Sequence, residues 1–206
     1  MFAAFCASPS RAEVNISALL SSSMDPASVK FADKIRIPGD CTELLLNGVG
    51  VRGVSIYRGY KMALYLSEKQ TDARAAIEQK GAKRIEIVPL IDVPAAEWAK
   101  ALGRGIEKNH TGAEMDSLRS RVETFKTALL ALKTTPKKTI LRIDYLPESG
   151  TWLRVNGKNQ GEPVKGEDFF RAVLKIWIGD KPTQKDLKQA LLGQVMPGQP
   201  RPVFTQ

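Results

Sequence analysis

The chain has 206 residues, 43% hydrophobic and 26% charged, enough apolar material for one sizeable core and too much for a disordered protein. Its formal charge of +9 is scattered among interleaved acids, as over 70–86 and 114–126. With no arginine-rich tract or nucleic-acid motif, it reads as a solvated surface biased toward anionic ligands, not as a nucleic-acid binder. Two cysteines and one histidine exclude a disulfide framework and a histidine-built metal centre, so neither metal nor cofactor is expected.

Residues 1–12 come first. Met1-Phe2-Ala3-Ala4-Phe5-Cys6-Ala7 is apolar and leads into Ser8-Pro9-Ser10-Arg11-Ala12. This reads as the remnant of a signal peptide with a small-residue cleavage site after Ala12 and its charged start upstream of Met1. A periplasmic or secreted protein keeping only Cys41 would follow; the alternative is a short amino-terminal arm of a cytoplasmic protein. Residues 13–39 are expected to be extended, 40–193 to form the domain and 194–206 a flexible tail. No stretch reaches the length of a transmembrane helix.

Residues 44–57 and 60–67 read as two strands joined tightly at Arg58-Gly59, apolar on both faces as in a covered sheet. A short polar helix is expected over 70–79 and a strand over 84–90. Pro94 then opens a helix to about Lys108, with Asp92 as its cap. Leu118, Val122, Phe125, Leu129 and Leu132 recur every three or four residues and predict an amphipathic helix over 113–133. Residues 138–145 and 151–155 make a hairpin around Pro147-Glu148-Ser149-Gly150, Asn156-Gly157 adds a turn, and a short strand is expected near 162–164. Helices over 166–177, with one apolar side, and 185–192 close the domain. The order of elements indicates an α+β fold and no repeated βαβ unit.

Arg52 is the informative residue. It stands in the apolar, glycine-punctuated run Leu44 to Val54, where no acid intervenes between Glu43 and Glu68. A guanidinium cannot shed its proton at ordinary pH, so burying it requires an acceptor, which a ligand anion could supply beside the phenol of Tyr60. Arg52 could equally pair with an acid distant in sequence or face solvent. Gly48-Val49-Gly50 superficially matches the start of a dinucleotide fingerprint, but no helix opens after the glycines as such a site requires. His110 lies in a turn without a nucleophile nearby, Cys41 reads as a small, partly buried residue, and Lys61 alternates away from Tyr60. Glu97 and Glu107 occupy an exposed helix face and form no acid pair.

Gly48-Val49-Gly50-Val51-Arg52-Gly53, Tyr60-Lys61-Met62-Ala63-Leu64-Tyr65-Leu66, and Phe169-Phe170 through Trp177-Ile178-Gly179-Asp180-Lys181-Pro182 to Leu187–Gly193 together resemble the chalcone isomerase-like family. The resemblance implies an open-faced β-sandwich, a large antiparallel sheet with a helical layer and a cleft between them. It also implies that Arg52 takes the place of the arginine that stabilises a phenolate in the plant isomerase. Where that enzyme has a threonine, this chain has Tyr60. The fatty-acid-binding branch carries a tyrosine there, and its arginine and tyrosine jointly hold a carboxylate. Two further donors of the isomerase fall near Ala95 and Leu102, whose side chains cannot hydrogen-bond, which removes electrostatic stabilisation from such chemistry.

The expectation is therefore an apolar-walled cavity with one cationic end and without the isomerase's further donors: non-catalytic binding of a fatty acid or similar small amphiphilic anion in a cleft between sheet and helices, with Arg52 and Tyr60 on its head. Tyr65, Trp98, Leu102 and Trp177 are candidate cavity-lining residues, the aromatics among them being also readable as ordinary core. The alternatives are an intramolecular lyase of the chalcone isomerase type, with Arg52 catalytic, and a structural or interaction protein with a vestigial cavity.

Overall fold

The protein, a computed structural model, is described over residues 25–54 and 57–194; the signal-peptide reading of residues 1–12 lies outside them, as does nearly all of the tail. Strands β1 (Lys34–Arg36), β2 (Glu43–Val54) and β3 (Tyr57–Leu66) open the fold, followed by α1 (Ala73–Glu78), β4 (Lys83–Pro89) and the short β5 (Val93–Pro94). Helices α2 (Ala95–Lys108) and α3 (Gly112–Leu130) come next, then β6 (Thr134–Thr135), β7 (Leu141–Leu146), β8 (Gly150–Val155) and β9 (Lys158–Asn159). Helices α4 (Glu167–Ile178) and α5 (Lys185–Leu191) complete it. One antiparallel sheet runs in the order β1-β2-β3-β4-β7-β8-β9, with β5 and β6 paired apart from it. This is the expected α+β arrangement of a large antiparallel sheet with helices.

Strand alternation divides the apolar side chains between two faces. Met62, Leu64 and Leu66 of β3, Ile85 and Ile87 of β4, Ile143 of β7 and Leu153 of β8 join the helices in the main core. Ala63 and Tyr65 cluster instead with Ile37, Leu44, Leu46 and Leu146 on the outer face, with Phe31 and Ile35 packed against them. Helix α3 buries Leu118, Val122, Phe125 and Leu129 of the expected stripe, but it ends at Leu130, so Leu132 lies beyond it and is only partly buried. Helix α4 differs from expectation. Phe169, Phe170, Val173, Leu174, Ile176, Trp177 and Ile178 are all buried, so it is apolar nearly all round and serves as the central helix. Each such side chain stabilises the fold by roughly 1.5–3 kcal/mol. Among the described residues no helix is long and apolar enough to cross a membrane.

Several boundaries move for physical reasons. The β2–β3 connection falls between Val54 and Tyr57, not at Arg58-Gly59. Pairing shifts from Arg52↔Tyr60 to Gly53↔Arg58, so Gly59 is a bulge whose carbonyl accepts from Leu90 N at 2.9 Å. Asp92 does not cap α2. Pro94 stands at the cap position without a side-chain bond, and Asp92 Oδ1 accepts instead from Lys137 N at 2.8 Å. Asn156 and Gly157, both at positive φ, turn β8 into β9, and the segment expected near 162–164 makes only a bridge from Val164 to Thr151. Sheet pairing starts at Lys34, within the segment read as extended. Cys41 is exposed, not partly buried, and His110 Nδ1 lies 2.8 Å from Ile106 O at the end of α2.

Candidate ligand site

The glycine phrase of β2 acts first on packing. A Cβ on Gly50 would lie 2.5 Å from Leu187 Cδ1 and 3.0 Å from Ala190 Cβ, and one on Gly48 would overlap the backbone carbonyls of Ala190 and Leu191. Only a strand bare of side chains lets α5 lie this close. Asn47 Nδ2, buried beside them, donates to Leu191 O at 2.7 Å and to Gln70 O at 3.0 Å, tying the end of α5 to β2. With α5 fixed there, Gln184 at its amino end is brought against Arg52.

Arg52 and Tyr60 are register partners on β2 and β3, so their side chains leave the same face of the sheet. Arg52 is half-buried, and its Nη1 donates to Gln184 Oε1 at 3.3 Å. The same oxygen accepts from Gly53 N at 3.1 Å. Among the described residues no carboxylate forms an ion pair with Arg52. Tyr60 Oη accepts from Trp177 Nε1 at 2.8 Å, and its ring packs on Trp98 with centroids 5.4 Å apart. Burial pushes the Tyr60 phenol up to about 12, against the opposing hydrogen bond from Trp177 and the charge of Arg52. The phenol is thus neutral at physiological pH and keeps its proton for donation.

Tyr60, but not Arg52, stands in the wall of a cavity of ≈ 80 Å³, together with Ile87, Trp98, Ala101, Leu102, Phe125, Leu129, Leu141, Ile143, Leu153, Ile176, Trp177 and Thr183. Trp98, Ala101 and Leu102 reach it because residues three and four apart share one face of α2. Trp98 Nε1 is already committed to Thr135 Oγ1 at 2.7 Å, and Trp177 Nε1 to Tyr60. The wall is therefore apolar apart from the Tyr60 and Thr183 hydroxyls.

Of the candidate lining residues, Trp98, Leu102 and Trp177 do line the cavity. Tyr65 does not. Lying five residues from Tyr60, it points to the opposite face and is buried there at 1% exposure, its phenol pushed up by burial and by Glu86. Ala95 is buried at the start of α2 but forms no part of the wall. Thr183 and Gln184 escaped sequence reasoning. Nothing in the order of residues marks them, since their relevance comes from α5 folding back on β2. The outer face holds another unforeseen feature, Asp144 between the guanidinium groups of Arg84 and Arg154, with Lys61 on the same face donating to Pro26 O and Val29 O.

A family model described as chalcone isomerase-like matches residues 23–193. Among solved structures, the chain is similar to the fatty-acid binding protein AtFAP1 of Arabidopsis thaliana, at 16% identity and a TM-score of 0.62 over 82% of this chain and 94% of that one. At that identity the likeness establishes the fold. No curated protein matches the chain significantly.

Proposed function

This chain belongs to the chalcone isomerase-like family, and we propose that within it the protein binds a fatty acid or similar amphiphilic anion without transforming it. The observation that carries this reading is the pairing of Arg52 with Tyr60, itself part of the wall of an apolar cavity: one cation and one neutral O–H donor whose present partners are uncharged. A carboxylate at that point would receive charge-assisted hydrogen bonds, each contributing about 1.5–3 kcal/mol. Each methylene entering the cavity adds roughly 0.8 kcal/mol. The name of the similar Arabidopsis protein is consistent with such a ligand.

The reading is also supported by what the wall lacks. Leu102 presents methyl groups where the resemblance expects a hydrogen-bond donor, so little is available to orient a reacting phenol. At ≈ 80 Å³ the cavity is smaller than the roughly 300–1,000 Å³ of pockets for drug-sized molecules, so a long tail enters only as Leu102, Leu129 and their neighbours change rotamer.

Calorimetric titration with saturated fatty acids of increasing length tests the proposal. Wild-type protein should bind, Arg52→Gln should weaken binding at least ~10-fold, and Tyr60→Phe a few-fold, as expected for losing a charged and a neutral hydrogen bond. Binding indifferent to Arg52→Gln, or no binding at all, would refute it. Ring closure of a hydroxychalcone faster than in buffer would replace it with a catalytic reading.

A further inference from the structure

Gly53 N–H and Arg52 Nη1 are two donors aimed at one point, and a single oxygen, Gln184 Oε1, sits there at 3.1 and 3.3 Å. The backbone donor stands next to the bulge. Pairing slips here from Arg52↔Tyr60 to Gly53↔Arg58, the Gly59 carbonyl accepts from Leu90 N on the β4 side, and Gly53 N–H has its acceptor outside the ladder, in Gln184. The Arg52 contact is long beside the 2.7–2.9 Å typical of charge-assisted bonds, while the Gly53 contact lies within the ordinary N–H···O range. The guanidinium thus faces a neutral amide oxygen where an anion would come closer.

We infer that Gln184 is a displaceable internal stand-in for the ligand head group, holding the oxygen site of Arg52 and Gly53 in the empty protein and making the site selective for carboxylates over neutral amphiphiles. This rests on the anion-binding reading above. An alcohol or ester offers an oxygen no better than the amide already seated, so it gains nothing by displacing Gln184. A carboxylate gains charge on the guanidinium and a second oxygen for Gly53 N–H or Tyr60 O–H. Release is inexpensive because Gln184 stands at the cap position of α5 yet makes no side-chain capping bond. Its side chain can swing away while the helix stays on Gly48 and Gly50.

The test compares wild type, Gln184→Glu and Gln184→Ala, all as full chains, titrated with palmitate and with hexadecanol. A glutamate would neutralise Arg52 from within, so Gln184→Glu should lose palmitate affinity at least ~10-fold while hexadecanol binding stays within about two-fold. Gln184→Ala should tighten palmitate several-fold and shrink the preference for acid over alcohol. Amide NMR of the ligand-free proteins gives an independent readout. The Gly53 resonance should shift in both variants and, in wild type, shift again with palmitate but not with hexadecanol. If palmitate binds and depends on Arg52, yet Gln184→Glu binds it like wild type or the Gly53 resonance ignores residue 184, this inference fails and the anion-binding reading stands. If wild type binds no palmitate, the anion-binding reading fails and takes this inference with it.

Discussion

Trp177 and Tyr60, 117 positions apart, are joined by one hydrogen bond of 2.8 Å from the indole N–H to the phenol oxygen. It links the central helix to the sheet at the cavity wall and fixes the direction in which the phenol proton can point. Tyr60→Phe should therefore leave a buried indole N–H unsatisfied and lower stability by about 1–3 kcal/mol. In Trp177→Phe the Tyr60 phenol loses a bond that favours its ionised form, so it should ionise at higher pH. Urea denaturation reads the first effect and phenolate absorbance during an alkaline titration the second; an unchanged tyrosine titration would mean that the bond does not hold in solution.

Stability should pass through a maximum in the alkaline range. Burial lowers Lys83 to about 8 although Glu167 opposes it, with Lys83 Nζ 3.6 Å from Glu167 Oε1 and 5.3 Å from the Tyr145 ring centroid. The unfolded lysine titrates near 10.4, so between about pH 8 and 10.4 the unfolded chain holds the extra proton and stability rises with pH. Tyr60 has the opposite sign. Its folded value of about 12 lies above the unfolded value near 10, so its contribution is complete below about pH 10 and is lost as pH rises toward 12. Lys83→Met should abolish the rise between pH 8 and 10 and stabilise the protein at pH 7 by up to roughly 3 kcal/mol. Denaturation midpoints measured from pH 7 to 11 would show it; a flat wild-type profile would mean that water reaches Lys83.

Much of this architecture could be read from local pattern, because period-2 and period-3.6 alternation depend only on neighbouring residues. The stripe from Leu118 to Leu129, the 141–155 hairpin and the likeness of the Arg52 and Trp177 phrases to one family came through directly. What stayed hidden was set by distant parts of the chain meeting. The bulge at Gly59 depends on Leu90 claiming its carbonyl, the acceptor beside Arg52 comes from residue 184, and Asp144 collects arginines from two other strands. Tyr65 and Tyr60 belong to the same phrase, and only strand parity separates the buried outer phenol from the cavity phenol.

The glycines of β2 should be more sensitive than their small size implies. Gly50→Ala meets side-chain atoms of Leu187 and Ala190, which can give way, and should cost about 1–3 kcal/mol. Gly48→Ala meets the backbone carbonyls of Ala190 and Leu191, which cannot move without shifting α5, and should cost more. Since α5 carries Gln184 to Arg52, both changes should also disturb the Gly53 amide resonance. Thermal melting ranks the two variants. Equal and small losses would show that α5 is not held tightly to β2.

Asp144 should be the most sensitive charge in the protein. It is fully buried, with Arg84 Nε at 2.5 Å, Arg84 Nη2 at 2.8 Å and Arg154 Nη1 at 2.6 Å. Asp144→Asn would leave two buried guanidinium groups without a counter-charge, a change that typically costs 3–5 kcal/mol, so about that loss is expected here. Arg84→Met should cost less, because Asp144 keeps Arg154. Glu86→Gln should cost least, under about 1 kcal/mol, since its partner Arg142 is 28% exposed and water can replace the pair. Urea denaturation of the three variants at neutral pH gives the order. An Asp144→Asn protein as stable as the Glu86→Gln one would mean that solvent enters the outer face and hydrates both arginines.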